Sequence, residues 1–394
     1  MFCARQTPRC RSESDLMALL QSATVTSLMA AAGHEQMVFV ADRAVGLRGV
    51  IAIHSTALGP ALGGVRFSRY ASEHDAVIDA LRLSEAMTLK AAIAGLHQGG
   101  GKAVVLWDDP DRPRPRALLH ALGHAVDELG GRYLAAEDVG ATTADMNGLA
   151  EVTPWVTGVD EALGGSGDPS SVTALGVLHA MRAVRAALDG DASLHGSRVV
   201  VQGSGHVGSQ LARRLVAAGA EVVVSDLFES RAAALARELS VARVGAEEAL
   251  VTPCDVLAPC ALGDVFDDET IPRLRCRAIV GAANNQLGVI GADRMLAARG
   301  ILYVPDFVAN AGGIINIAEE FVGYDRERAL AHAAEIETTT ARVLANASEH
   351  GITPTRAAER IARLRIAEEG AGRRWEPGDP AAWTSGAPLR TLRP

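Results

Sequence analysis

Apolar positions along the chain switch between strand-like runs and helical spacing, and the order in which they switch sets out an α/β protein. The first buried run, GLRGVIAIHST (46–56), reads as a strand, and LGPALGG (58–64) breaks it with a proline and paired glycines. Ser72 followed by Asp75 is a capping pattern, and Val77, Ala80, Leu81 and Ser84 recur at helical spacing, which predicts an amphipathic helix ending at or just before Lys90. Gly99-Gly100-Gly101 cannot continue a helix, and the run AVVLW after Lys102 enters a buried strand. A helix over 116–129 and the strand RYLAAEDV (132–139) complete a first α/β unit. Glu137 and Asp138 end that strand where open α/β sheets bind ligands, although capping the following helix is a second reading.

The composition shifts at Gly164, where GGSGDPSS forms a connection and Pro169, Ser170 and Ser171 open a helix to about 188. RVVVQ then runs into GSGHVG, followed by the helical SQLARRLVAAG and the strand EVVVSD. In that context the glycines carry a mechanism. Gly203 makes the turn, Gly205 admits a pyrophosphate, Gly208 packs helix on strand, and Asp226 accepts hydrogen bonds from ribose hydroxyls. Asp226 also repels a 2′-phosphate and neither Leu227 nor Phe228 offers a cation, so NAD is expected over NADP. CDVLAPCA, RAIVGAANNQ and ILYVPDFVANAGG fit further strands and crossovers. Asn284 and Asn285 follow one of them directly, placed either to bond a ligand or to cap a turn.

The expected organisation is a loosely held extension (1–25), a substrate domain (26–163) and a Rossmann dinucleotide domain (164–334). Helices over 327–348 and 353–369 should return to the first domain (about 335–369), and 370–394, rich in Gly and Pro, is expected to be a disordered tail. A chain of 394 residues can hold two such cores. The net charge of −9 is spread out, and no basic run with interleaved aromatics suggests a nucleic-acid partner. No apolar stretch has the length of a membrane span and no secretory signal is evident, so a cytoplasmic location is expected. Cys3, Cys10, Cys254, Cys260 and Cys276 lack metal-ligand spacing and read as reduced thiols, with no metal site expected.

Of 38 basic residues only Lys90 and Lys102 are lysine, the rest being arginine. An amine can give up its proton near neutral pH when its surroundings push it, and a guanidinium cannot, so two lysines flanking a triple glycine point to a site. A glycine-rich turn with a solvated lysine is the plainer alternative. A phosphate-binding loop is excluded, because Leu96 stands at its first glycine and Ala103 at its Ser/Thr.

With these residues in view, the chain resembles the Glu/Leu/Phe/Val amino acid dehydrogenase family, most closely its valine and leucine members. GLRGVIAIHSTALGPALGG, MTLK, GGGK, AAEDVG, GDPSSVTALGV, CDVLAPCALG, GAANNQL and PDFVANAGG follow that family's motifs in order. The resemblance implies a substrate domain followed by a Rossmann domain, NAD as cofactor, a homo-oligomer, and reversible deamination of an amino acid to a 2-oxo acid and ammonia. It assigns Lys90 to the substrate carboxylate, Lys102 as catalytic base and Asp138 to the amine's protons. Leu62, Gly63, Gly64, Ala136, Ile314 and Ile317 would line the substrate pocket, which suits a branched aliphatic side chain better than phenylalanine and excludes glutamate. Asn284 would lie near substrate and cofactor, and Thr173, Ser204, His206, Val207, Ala258 and Asn310 would join the glycines and Asp226 around the cofactor.

Three positions depart from the family's pattern: Ala91 replaces a usual asparagine, Glu85 in SEAM replaces an arginine, and Ser171 replaces a proline. A non-catalytic NAD-binding sensor would keep GSGHVG and Asp226 but has no reason to retain both lysines and Asp138.

Overall fold

A computed structural model describes residues 24–109, 112–261, 263–372 and Trp375. It has the two-domain α/β fold expected, built on two sheets. The first contains β1 (Gln36–Asp42), β2 (Leu47–Ser55), β3 (Ala61–Ser68), β4 (Gly99–Leu106) and β5 (Tyr133–Glu137) in the order β1-β2-β4-β3-β5. β3, β4 and β5 run parallel, whereas β2 is antiparallel to both β1 and β4.

Three of these strands differ from the sequence reading. β1 is an edge strand of mixed burial, so its apolar signal is diluted. In β3 the paired glycines do not break the chain, because both lie inside the strand. A Cβ on Gly63 would fall 1.7 Å from the Gly101 carbonyl oxygen. The triple glycine likewise begins β4 instead of preceding it. Its glycines make room for protein and not for ligand, since a Cβ on Gly100 would lie 2.1 Å from the Thr88 backbone nitrogen. The helix Glu73–Ile93 can therefore settle directly on the sheet. Ser72 caps it by accepting the Asp75 N–H, as expected.

The second sheet contains β6 (Arg198–Gln202), β7 (Glu221–Ser225), β8 (Ala242–Arg243), β9 (Cys254–Pro259), β10 (Cys276–Ile279) and β11 (Leu302–Tyr303). All neighbours are parallel, in the order β11-β10-β9-β6-β7-β8. Chain order therefore reverses between β6 and β9, which opens a crevice at their carboxyl ends. Both faces are covered, so Val199, Val200 and Val201 are wholly buried in an unbroken apolar run.

The helix Ser170–Asp189 follows the connection, and one apolar cluster runs from it to Leu62, Ile93 and Leu134 on one side and Val201 and Val280 on the other. Of the two return helices, Pro354–Glu369 packs on Glu73–Ile93, whereas Ile336–His350 packs mainly on Ser170–Asp189. The tail departs from expectation at Trp375. That residue is 4% exposed, donates its backbone N–H to Thr56 Oγ1, and meets Trp155 edge-to-face at 6.4 Å. Residues 1–23, with Cys3 and Cys10, and 376–394 lie outside the described residues. Among the described residues no helix is long and apolar enough to cross a membrane and no cluster suits a metal ion.

Candidate active site

Strand alternation collects the first group of residues. Leu62, Gly64 and Arg66 lie two apart on β3, and the register sets Leu62 beside Gly100 on β4 and Gly64 beside Ala136 on β5. Lys102 follows Gly100 by two, and Asp138 follows Ala136 by two, just past the end of β5. All seven therefore share the face covered by the helix Glu73–Ile93. Capping of the helix Thr143–Ala150 falls to Thr142 and Asp145, which leaves Asp138 free of that duty.

Lys102 Nζ donates to Asp138 Oδ2 at 2.6 Å, with the lysine side chain 4% and the aspartate 20% exposed. The same Oδ2 accepts Arg66 Nε at 2.9 Å. Arg66 Nη1 reaches Asp79 Oδ2 at 2.9 Å, and Asp79 also accepts Tyr70 OH at 2.7 Å and Arg82 at 3.0 Å. Burial lowers the Lys102 pKa; Asp138 opposes that, and the Arg66 cation adds to it. For Asp138 burial pushes upward, but Lys102 and Arg66 together outweigh it and hold the carboxyl below its ordinary value.

Lys90 sits in the last turn of Glu73–Ile93, half-buried. Burial takes its pKa down to about 8, against the pull of Asp306 and with Lys102 pushing the same way as burial. Asp306, after β11, is raised by burial and pulled down by Lys90, and it accepts the backbone N–H groups of Asn285 and Phe307. A carboxylate just past the last strand of the second sheet is thereby tied electrostatically to a lysine on the helix that covers the first.

Leu62, Ala136 and Ile314 belong to one apolar cluster, with Ile317 packed against it. Leu62 is fully buried and Ile314 is 4% exposed, while Ile317 is half-buried and is the most accessible of the four. Gly64 allows Asp138 to tuck in, since a Cβ there would lie 2.5 Å from the Asp138 Cβ.

The glycine turn lies at the crevice between β6 and β9. Gly203 has φ of 105°, a backbone suited to glycine, and a Cβ on Gly208 would meet the Gly203 carbonyl at 1.9 Å. A Cβ on Gly205 would meet nothing within 4 Å, which leaves open the space a pyrophosphate needs beside the helix His206–Ala217. Asp226 is fixed by the N–H groups of Ser204 (2.7 Å) and Phe228 (2.8 Å). His206 is 86% exposed beside Asp168, and Val207 packs against the core. Thr173 is buried with its hydroxyl donating to the Pro169 carbonyl, next to Gly313. Asn310 Nδ2 donates to Asn284 Oδ1 at 2.7 Å and to the Ala282 carbonyl at 3.0 Å, while its own Oδ1 is buried with no partner among the described residues. An orphaned amide oxygen beside the crevice suits a donor on a bound nicotinamide dinucleotide. Ala258 lies wholly buried within β9 in the same apolar cluster.

Sequence reasoning missed Arg66, Asp79 and Asp306. Arg66 had a signal, a lone cation within ALGGVRFS, but it was hidden once that stretch was read as a turn. Asp79 and Asp306 reach the site through partners on other elements, Arg66 for the one and Lys90 for the other. Glu85, the acid beside Lys90, is paired with Arg363 of the Pro354–Glu369 helix at 2.7 Å. The Ser171 carbonyl accepts Arg214, and Ala91 is wholly buried in the core.

A Rossmann-type sheet set against a buried lysine–carboxylate pair defines an oxidoreductase able to manage its substrate's protons. Residues 34–154 match the Glu/Leu/Phe/Val dehydrogenase dimerisation domain, and 164–228 with 229–373 match Glutamate/Leucine/Phenylalanine/Valine dehydrogenase. The chain belongs to this Glu/Leu/Phe/Val dehydrogenase family. It is 49% identical to valine dehydrogenase of Streptomyces albus, over 86% of this chain and 94% of the relative. It is 46% identical to leucine dehydrogenase of Thermoactinomyces intermedius, over 84% and 91%. Among solved structures, L-tryptophan dehydrogenase of Nostoc punctiforme is similar with a TM-score of 0.79 and 38% identity, over 87% of this chain and 99% of that one.

Proposed function

We propose that the protein catalyses the reversible, NAD-dependent oxidative deamination of a branched-chain aliphatic L-amino acid to its 2-oxo acid and ammonia. The observation that carries this reading is the buried Lys102–Asp138 pair, 2.6 Å apart, with a second lysine on the helix that covers it. A nicotinamide dinucleotide held by the Gly203–Gly208 turn and Asp226 would supply the hydride acceptor for Cα. Lys90, protonated below about pH 8, pairs with the substrate carboxylate. Lys102, eased toward its neutral form by burial, withdraws a proton from the water that adds to the imine carbon. Asp138, ionised when substrate arrives, takes a proton from the amine and returns it to the departing nitrogen.

Preference for NAD is supported by Asp226, whose fixed carboxylate faces any 2′-phosphate with like charge, with exposed Leu227 and Phe228 beyond it. The branched-chain reading is supported by the valine and leucine dehydrogenase relatives at 43–49% identity and by the apolar Leu62, Ala136, Ile314 and Ile317. None of the four can pair a second carboxylate. An aromatic substrate is the second reading, favoured by the likeness to L-tryptophan dehydrogenase at 38% identity. A homo-oligomer is supported by the match to a dimerisation domain, and the reduced Cys254, Cys260 and Cys276 suit a cytoplasmic location.

The test is stoichiometry. Purified protein with NAD and L-valine should yield NADH, 2-oxo acid and ammonia in equal amounts. NADH without ammonia would refute deamination.

A further inference from the structure

Asp138 presents its two oxygens unequally. Oδ2 receives both Lys102 Nζ at 2.6 Å and Arg66 Nε at 2.9 Å. Oδ1 accepts no hydrogen bond from the described residues, and the Asp138 side chain keeps 20% of its surface exposed. Arg66 is itself fixed at its far end, where Nη1 meets Asp79 Oδ2 at 2.9 Å and Asp79 is held in turn by Tyr70 OH and Arg82. The chain of contacts therefore runs from the helix Glu73–Ile93 through β3 to the end of β5 and on to β4.

We propose that Arg66 is the positioning residue of this site: clamped by Asp79, its guanidinium holds Asp138 by the oxygen that also receives Lys102, leaving Oδ1 for the substrate nitrogen and giving Lys102 only a shared counter-ion. The inference deepens the reading of Lys102 as base and Asp138 as proton carrier, and rests on it. Two cations bonded to one carboxylate oxygen repel, and each finds part of the anion's charge already spent. An isolated lysine–aspartate pair this close and this buried would instead keep the ammonium protonated to high pH. Arg66 can fill this role because its guanidinium stays charged across the working range and its fork can bond two carboxylates at once. The other charged groups around Lys102 are Asp79, which favours its proton, and Lys90 on the covering helix, with which it repels.

The chain's composition makes a direct test possible. With K90R as background, Lys102 is the only lysine in the protein, so lysine labelled with ¹³C at Cε gives one resonance whose titration reads its pKa without any need for turnover. R66Q should move that titration upward by about one pH unit, the usual size for removing a neighbouring charge. D79N should move it downward, because it removes an anion from the same chain, and R66K, whose added lysine resonance is identified separately in the R66K/K102R protein, should leave Lys102 near the native value. A fold weakened by either substitution would not move the pKa in opposite directions. An unmoved titration in R66Q, or R66Q and D79N moving together, would overturn the proposal. Should R66Q fail to fold, the downward shift in D79N and the native value in R66K decide it in the same way. Deamination assayed on the native chain stands apart: its absence would refute the base assignment and leave the Lys102 titration to judge Arg66.

Discussion

Replacing Lys102 by alanine should abolish deamination and leave the fold and nucleotide binding nearly intact. Breaking a buried ion pair by removing one partner commonly costs about 3–5 kcal/mol, because the other charge is stranded. Here Asp138 keeps Arg66 at 2.9 Å, so the carboxylate is not stranded, and the loss should fall to about 1–3 kcal/mol, the worth of one charge-assisted hydrogen bond. Loss of a general base should lower kcat by about 10² to 10⁴. K102R should fail as well, since a guanidinium restores the charge but cannot take a proton near neutral pH. Steady-state kinetics, thermal unfolding and NADH binding by fluorescence measure the three quantities separately. The glycine turn lies on the other sheet, so NADH affinity should hold. Turnover within tenfold of native in K102A would refute the assignment of the base.

Three other outcomes follow from the same geometry. Asp226→Ala should narrow the preference for NAD over NADP by a few kcal/mol at most, about one charge-assisted hydrogen bond, read as kcat/KM for each cofactor; a native preference for NADP would refute the reasoning. Ile314→Ala should shift preference toward larger side chains, and since a methylene is worth about 1–3 kcal/mol, the change should be roughly ten- to two-hundredfold in the ratio of kcat/KM for phenylalanine over valine. An unchanged ranking would mean that Ile314 does not touch substrate. Because the protonated form of Lys90 binds the carboxylate and burial takes its pKa to about 8, KM for the amino acid should rise above that pH. The rise should approach about tenfold per unit, and in K90R, whose charge persists, it should disappear.

Much of the site was legible because its chemistry is local in sequence. The strand, glycine turn, helix and strand around GSGHVG have one sensible geometry, and Gly208 meets the Gly203 carbonyl as that geometry requires. The two lysines stood out by composition alone. What escaped depends on contacts between distant segments. Gly63, Gly64 and Gly99–Gly101 read as turns because glycine disfavours strands, yet here each makes room for a neighbour, a backbone at Gly63, Gly99 and Gly100 and a side chain at Gly64 and Gly101, and tertiary packing overrides propensity. With β3 unread, the alternation that puts Arg66 on the face of Lys102 was invisible. Glu85 raised a question about charge beside Lys90 that only Arg363, 278 residues on, answers. Trp375 is held by Thr56 and Trp155, which no local pattern in a Gly- and Pro-rich tail reveals.

The central claim is that a lysine–carboxylate site beside an apolar pocket deaminates branched aliphatic amino acids with NAD. Its most direct test is kcat/KM for L-valine, L-leucine, L-isoleucine, L-phenylalanine, L-tryptophan and L-glutamate, followed by NADH absorbance on the purified protein. Side chains differing by a methylene or two should be separated by only about 1–3 kcal/mol, so valine, leucine and isoleucine should be turned over within roughly two orders of magnitude of one another. Phenylalanine and tryptophan should fall below them, and glutamate should give no measurable rate. A clear preference for an aromatic amino acid, or turnover of glutamate, would contradict the account.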